Sequence, residues 1–161
     1  CMGTEETDMR SSLAARISAL MQQMLGQSGW LRSELRSLDQ AGQGHHRMRE
    51  LCDQLDSLDS SIVWDLRDEL KGLSSRAAPQ AARILAWLRA DVDPLVDLVC
   101  RFDRECPSHP LVSAAMIACG DIVRRFREIE SALMPTPHSP YSSLVTTCRS
   151  TIQAAELPRL C

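Results

Sequence analysis

The sequence predicts an all-α protein: an antiparallel bundle of four to six amphipathic helices in a single domain over residues 1–161. Apolar residues recur at intervals of three and four through most of the chain, and no segment alternates apolar and polar residues as a half-buried strand does. Clusters of glycine, proline and serine separate the helical segments. Because the chain is 44% hydrophobic, it can bury one substantial core, and short connectors favour a bundle.

Six helical segments are predicted in chain order. Gly26 and Gly29 are expected to end the first of them. We expect residues 1–5 to be disordered and residues 134–140 to form a proline-rich connector before the last helix. The predicted helices cover residues 6–25, 29–41, 46–73, 79–102, 110–133 and 140–156.

The third predicted helix has the most regular apolar stripe. Its apolar positions are mostly spaced by three and four residues, which is typical of a coiled-coil-like seam. The seam faces either the core of the chain's own bundle or a second copy of the chain, and the second arrangement would make the protein a homodimer. The seam consists of Met48, Leu51, Leu55, Leu58, Ile62, Leu66, Leu70 and Leu73.

Pro94 lies within the apolar pattern of the fourth helix. A proline inside a helix removes one backbone donor and clashes with the preceding turn. We therefore expect this helix to be kinked or broken near Pro94, with the apolar stripe resuming at Leu95 and continuing to Phe102.

Charge and hydropathy exclude several classes of function. The formal net charge of −3 provides no basic surface for phosphates, so no nucleic-acid partner is expected. No stretch supplies about 20 apolar residues, so no transmembrane segment is expected. The chain lacks a nucleophile elbow, a P-loop, a dinucleotide fingerprint and an HExxH helix, and we predict neither an enzyme nor a bound cofactor.

The seven cysteines are odd in number and irregularly spaced, which is not typical of a secreted disulfide framework. Cys52, Cys119 and Cys148 fall at core positions of predicted helices, where a thiol packs as a small hydrophobe. We therefore favour reduced thiols and an intracellular, cytoplasmic location. Disulfides in an oxidising compartment are the alternative.

Histidine and cysteine residues form no standard metal-binding pattern. The His45–His46 pair has no acidic or cysteine partner four residues further on. A second group surrounds a proline-flanked turn, but its spacing matches no structural zinc site. We predict no metal site. The second group consists of Cys100, Cys106, His109 and Cys119.

Trp64 is unusual on the third helix because, at about 100° per residue, it lies opposite the seam. Its neighbours on that face include Asp53, Arg67 and Lys71. We favour a second packing contact for a central helix, and the alternative is an exposed anchor for a partner. Residues 50–71 carry seven acidic and two basic side chains, which is typical of a solvated face or of a surface that attracts a basic partner.

The fifth helix carries a short motif of four apolar positions with a Gly-Asp step before the last: Val112, Met116, Cys119, Gly120, Asp121 and Val123. This motif resembles the BH3 signature of the Bcl-2 family of apoptosis regulators, although Met116 stands where leucine is usual and Cys119 occupies the third apolar position. The resemblance implies that the apolar residues insert into a partner's groove while Asp121 pairs with an arginine. The same spacing describes a core stripe, which is the interpretation we favour.

We predict a non-enzymatic protein interaction or oligomerisation module that acts through an amphipathic helix face. Its partner is another protein or a second copy of the chain, and the candidate contact residues are Trp64, Asp53, Arg67, Lys71, Met116 and Asp121. One alternative is a secreted cytokine-like four-helix ligand with disulfides. Another is a helical carrier or sensor of an apolar small molecule, packed against Met21, Met24 and Met116.

Overall fold

The computed structural model describes residues 2–43, 45–73 and 78–134 of the chain. Helices occupy nearly all of these ranges, no strand occurs in them, and the prediction of an all-α bundle is confirmed. The helices are α1 (Met2–Leu38), α2 (His46–Ser60), α3 (Leu66–Lys71), α4 (Ala78–Glu105) and α5 (Val112–Leu133). A kinked turn with non-helical backbone at Gly42 covers Asp39–Gln43, and a wider π-helical turn covers Ser61–Asp65.

Four rods make up the described part of the bundle, because α2, the π turn at Ser61–Asp65 and α3 follow one another without a break. The rod α1 packs against α5 and against α2, while α4 packs against the same two neighbours from the opposite side. Short connectors between consecutive rods make neighbours antiparallel. The apolar faces therefore meet along one central axis.

The predicted seam of the third helix lies in this central core. Six of its members, from Met48 to Leu66, are buried, together with Leu73, and Leu70 is partly buried. The seam therefore faces the chain's own bundle, and the alternative of a second copy packed along it is wrong for this structure. The remaining core comes from α1, α4 and α5, including Ile17, Met24, Leu35, Leu88, Phe102, Met116 and Phe126.

The helix α1 is continuous where two helices were predicted. Gly26 and Gly29 lie within it, and it begins at Met2, inside the terminal segment for which we expect disorder. A glycine inside a helix costs about 1 kcal/mol, which is less than the roughly 1.5–3 kcal/mol gained by burying one leucine. Because Leu31 and Leu35 continue the buried stripe beyond the glycines, packing overrides both stop signals. The turn after α1 instead contains Gly42, whose φ of 78° suits a glycine.

The π turn at Ser61–Asp65 widens the third rod without removing its apolar stripe from the core. The amide of Leu66 donates to the carbonyl of Ser61, five residues earlier, which is the wider π winding. Ile62 and Leu66 both stay in the core, while Val63 and Trp64 project outward. The sequence pattern predicts the rod well, but it does not reveal this local widening.

Of the kink or break expected near Pro94, the break is wrong, since α4 continues through this residue, while the kink stays a prediction. Proline leaves the preceding turn with a weakened hydrogen-bond pattern. At this level the carbonyl of Asp91 accepts a hydrogen bond of 2.8 Å from the side-chain amide of Gln54, and the Ser57 hydroxyl donates to the buried Asp91 carboxylate at 2.8 Å. Two polar side chains of α2 thus bind α4 at Asp91, three residues before the proline.

Several predictions concern residues at the edge of the described ranges. The predicted fifth helix corresponds to α5, whereas the connector beyond Met134 and the helix at 140–156 lie outside the described residues.

Among the described helices, none combines the length and the apolar character needed to cross a membrane. No described cysteine takes part in a disulfide; the four are Cys52, Cys100, Cys106 and Cys119.

Candidate functional site

Trp64 is exposed on the π turn, with 69% of its surface accessible. Its neighbour Val63 is also exposed. The interpretation that Trp64 forms a second packing contact is therefore wrong within the described part of the chain. The π turn places a large apolar side chain in solvent, which is the alternative that the sequence left open.

An open groove of about 560 Å³ lies beside this turn, between α1 and α3. Its floor includes Met21 and Ile62, both of which belong to the buried core. The groove is therefore continuous with the apolar interior of the bundle. Its lining residues are Ala14, Ala15, Ser18, Met21, Gln22, Ile62, Val63, Arg67, Leu70 and Lys71.

Two cations and no acidic residue line this groove. Neither Arg67 nor Lys71 makes an ion pair with another residue in the described ranges. Spacings of three and seven residues place both on the side of the helix that carries Trp64. The groove lining is thus positive, although the net charge of the chain is −3 and residues 50–71 carry seven acidic and two basic side chains.

The six candidate contact residues do not form one surface. Asp53 is exposed on α2, in the same rod as the groove residues. Met116, on α5, is only 1% exposed and belongs to the core. Asp121 is also on α5, where its carboxylate pairs with Arg124 and lies 3.9 Å from Arg125. We therefore retain Trp64, Arg67 and Lys71 for a contact surface and exclude Met116.

The BH3-like motif lies on the inner face of α5. Its four apolar positions are all buried in the chain's own bundle. The core-stripe interpretation is thus confirmed for these four side chains: Val112, Met116, Cys119 and Val123. The acidic residue that follows Gly120 pairs with Arg124 of its own helix.

A second cluster forms at the opposite end of the third rod, where α2 begins and α4 ends. His45, His46 and Glu105 each place one potential metal-ligand atom within 4.8 Å of the others. His46 Nε2 lies 3.9 Å from Glu105 Oε2, and the rings of His45 and His46 stack with centroids 4.3 Å apart. The acidic partner missing near the histidines in sequence is therefore supplied by α4.

Hydrogen bonds orient two members of this histidine–glutamate cluster. The Arg47 guanidinium donates to both oxygens of Glu105, at 2.7 and 2.8 Å. These bonds hold the pKa of the Glu105 carboxyl below its usual value. His45 precedes α2 as its N-cap, and its Nδ1 accepts a hydrogen bond of 3.2 Å from the Arg47 amide.

The groove and the cluster offer different chemistry. The groove combines apolar surface with positive charge, whereas the cluster combines imidazole nitrogens with a carboxylate. Both arise from helices that are distant in the chain, and no short motif encodes either. None of the known protein-family models, curated proteins or solved structures matches this chain.

Proposed function

We propose that this chain is a non-enzymatic protein-interaction module that binds an amphipathic helix of another protein in the groove between α1 and α3. The observation that supports the proposal is the combination of an apolar floor with two cations that lack ion-pair partners among the described residues. An amphipathic helix binds such a groove through apolar residues spaced by three and four.

The charge of the groove favours a partner whose apolar stripe is flanked by acidic residues. Arg67 and Lys71 would face those acids, and electrostatic complementarity would fix the orientation of the bound helix. Trp64 is not part of the groove lining, but it follows the lining residue Val63 on the same side of the rod, where it offers the kind of aromatic anchor that dominates many interfaces. A basic helix would be repelled by the same two cations.

The proposal is tested with the full chain and a fluorescent helical peptide of about 20 residues, in which a leucine stripe is flanked by glutamates. The variant Trp64→Ala is expected to weaken binding by about 2 kcal/mol, roughly 30-fold in Kd. Trp87→Ala is the matched control, because Trp87 is exposed on α4, which contributes no residue to the groove lining. Equal affinity of Trp64→Ala and the wild-type chain would exclude Trp64 as an anchor.

A second candidate function is the binding of a small apolar molecule in the same groove. The groove volume of about 560 Å³ lies within the range of small-molecule sites, and Met21 offers an adaptable apolar contact. A fluorescent fatty acid distinguishes the two candidates. Saturable binding that Trp64→Ala leaves unchanged, without binding of the acidic peptide, would favour the carrier.

A further inference from the structure

We infer that His45, His46 and Glu105 form a binding site for a divalent transition metal of the zinc type, at the end of the bundle opposite the groove. The three ligand atoms lie within 4.8 Å of one another. Two imidazole nitrogens and a carboxylate oxygen are donors that zinc accepts, and a water completes a four-coordinate site. This site is independent of the proposed groove.

Side-chain movements would close the site, because the three ligand atoms now lie up to 4.8 Å apart. With zinc bonds of about 2.0–2.1 Å, neighbouring ligand atoms in a tetrahedron lie about 3.3 Å apart. The His46 Nε2 to Glu105 Oε2 distance of 3.9 Å is therefore about half an ångström too long. Their side chains are 66% and 40% exposed, so both can rotate without disturbing the core.

Neighbouring residues orient the Glu105 carboxylate and leave space for a water ligand. Arg47 holds the Glu105 carboxylate from one side, and each carboxylate oxygen keeps a further lone pair for a metal. An adjacent recess of about 340 Å³ is lined by both histidines together with Asp39, Gly42 and Arg49. The recess leaves room for the water ligand, and Asp39 adds a negative charge beside Arg49.

Metal binding would change the start of α2. A neutral imidazole that accepts a hydrogen bond at Nδ1 carries its proton on Nε2, so neither nitrogen of His45 can ligate while the cap is intact. Coordination therefore releases the Arg47 amide from His45. In exchange, the metal links the first residues of α2 to the last residue of α4, about 60 positions away in the chain.

The test is calorimetric titration of the full chain with zinc ion alone at neutral pH. We expect one site, with affinity at least about tenfold lower in His46→Ala and in Glu105→Gln. His109→Ala and Asp97→Asn are matched controls and should keep the wild-type affinity, since neither residue belongs to the cluster. Thermal unfolding without metal checks that each variant folds.

Titration with cobalt ion, together with NMR, distinguishes this histidine–carboxylate site from a metal site formed by cysteines. Bound cobalt should give visible absorption without the near-ultraviolet charge-transfer band of thiolate ligands, and the Arg47 amide signal should move on zinc addition. The assignment is overturned if His46→Ala and Glu105→Gln bind zinc as tightly as the wild type. It is equally overturned by a thiolate band, by no zinc binding, or by the same loss of affinity in His109→Ala.

Discussion

The ion pair between Arg47 and Glu105 joins the beginning of α2 to the end of α4. Arg47 also donates to Glu50 at 2.7 Å, so one guanidinium holds two carboxylates. Hydrogen bonding from Arg47 is the largest cause of the lowered pKa of Glu105. The pair therefore stabilises the fold only while Glu105 is ionised.

The pH dependence of this stabilisation has a definite sign. The lowered folded-state pKa of Glu105 predicts that the wild-type chain is more stable than Glu105→Gln above about pH 4.3, the usual pKa of glutamate. The difference should disappear as the pH falls through the folded-state pKa. Urea unfolding of both chains in the presence of a metal chelator measures this difference in unfolding free energy. A difference that grows as the pH falls would contradict the account.

Cys52 provides a second test at the scale of one residue. Burial is the main cause of the raised pKa of its thiol, and its side chain packs against the core. Because the thiolate is the reactive form, we expect Cys52 in the folded chain to be alkylated more slowly than in urea at about pH 8. Peptide mass spectrometry follows the labelling. Equal rates in the two conditions would show that Cys52 is not protected by this packing.

At the scale of elements, packing decides where helices end. The glycines inside α1 and the proline inside α4 are local stop signals, yet leucine stripes continue across all of them. The sequence pattern also does not predict the π turn at Ser61–Asp65. Leu58, Ile62 and Leu66 are four residues apart, a spacing that both α and π winding accommodate, so the sequence could not predict the exposed position of Val63.

Glycine substitutions test whether α1 is one helix. A Cβ built at Gly26 or Gly29 meets no atom within 4 Å beyond its chain neighbours and the adjoining helix backbone, so alanine should raise the free energy of unfolding by about 0.5–1 kcal/mol at each site. Gly42→Ala is the contrasting control, because its φ of 78° should make alanine destabilising by about 1 kcal/mol. Loss of stability in Gly26→Ala would indicate a break in α1.

At the scale of the whole molecule, the sequence predicts the bundle and its core better than its surface sites. Periodicity identifies which face of a helix is buried, and the seam of the third rod confirms this. Periodicity does not identify which exposed residues of different helices meet. Glu105 approaches His46 only because α2 and α4 are packed side by side, and the groove exists only because α1 lies beside α3.

The central claim is that the positively charged groove selects an acidic amphipathic helix. The most direct measurement compares two labelled peptides with the same leucine stripe, one flanked by glutamates and one by lysines, for binding to the full chain. We expect the wild type to prefer the acidic peptide and Arg67→Glu/Lys71→Glu to prefer the basic one. Arg101→Glu/Arg104→Glu on α4 reverses the same number of charges away from the groove and should behave as the wild type. An unchanged preference in the groove variant, or a dimer by sedimentation that Trp64→Ala abolishes, would contradict the account.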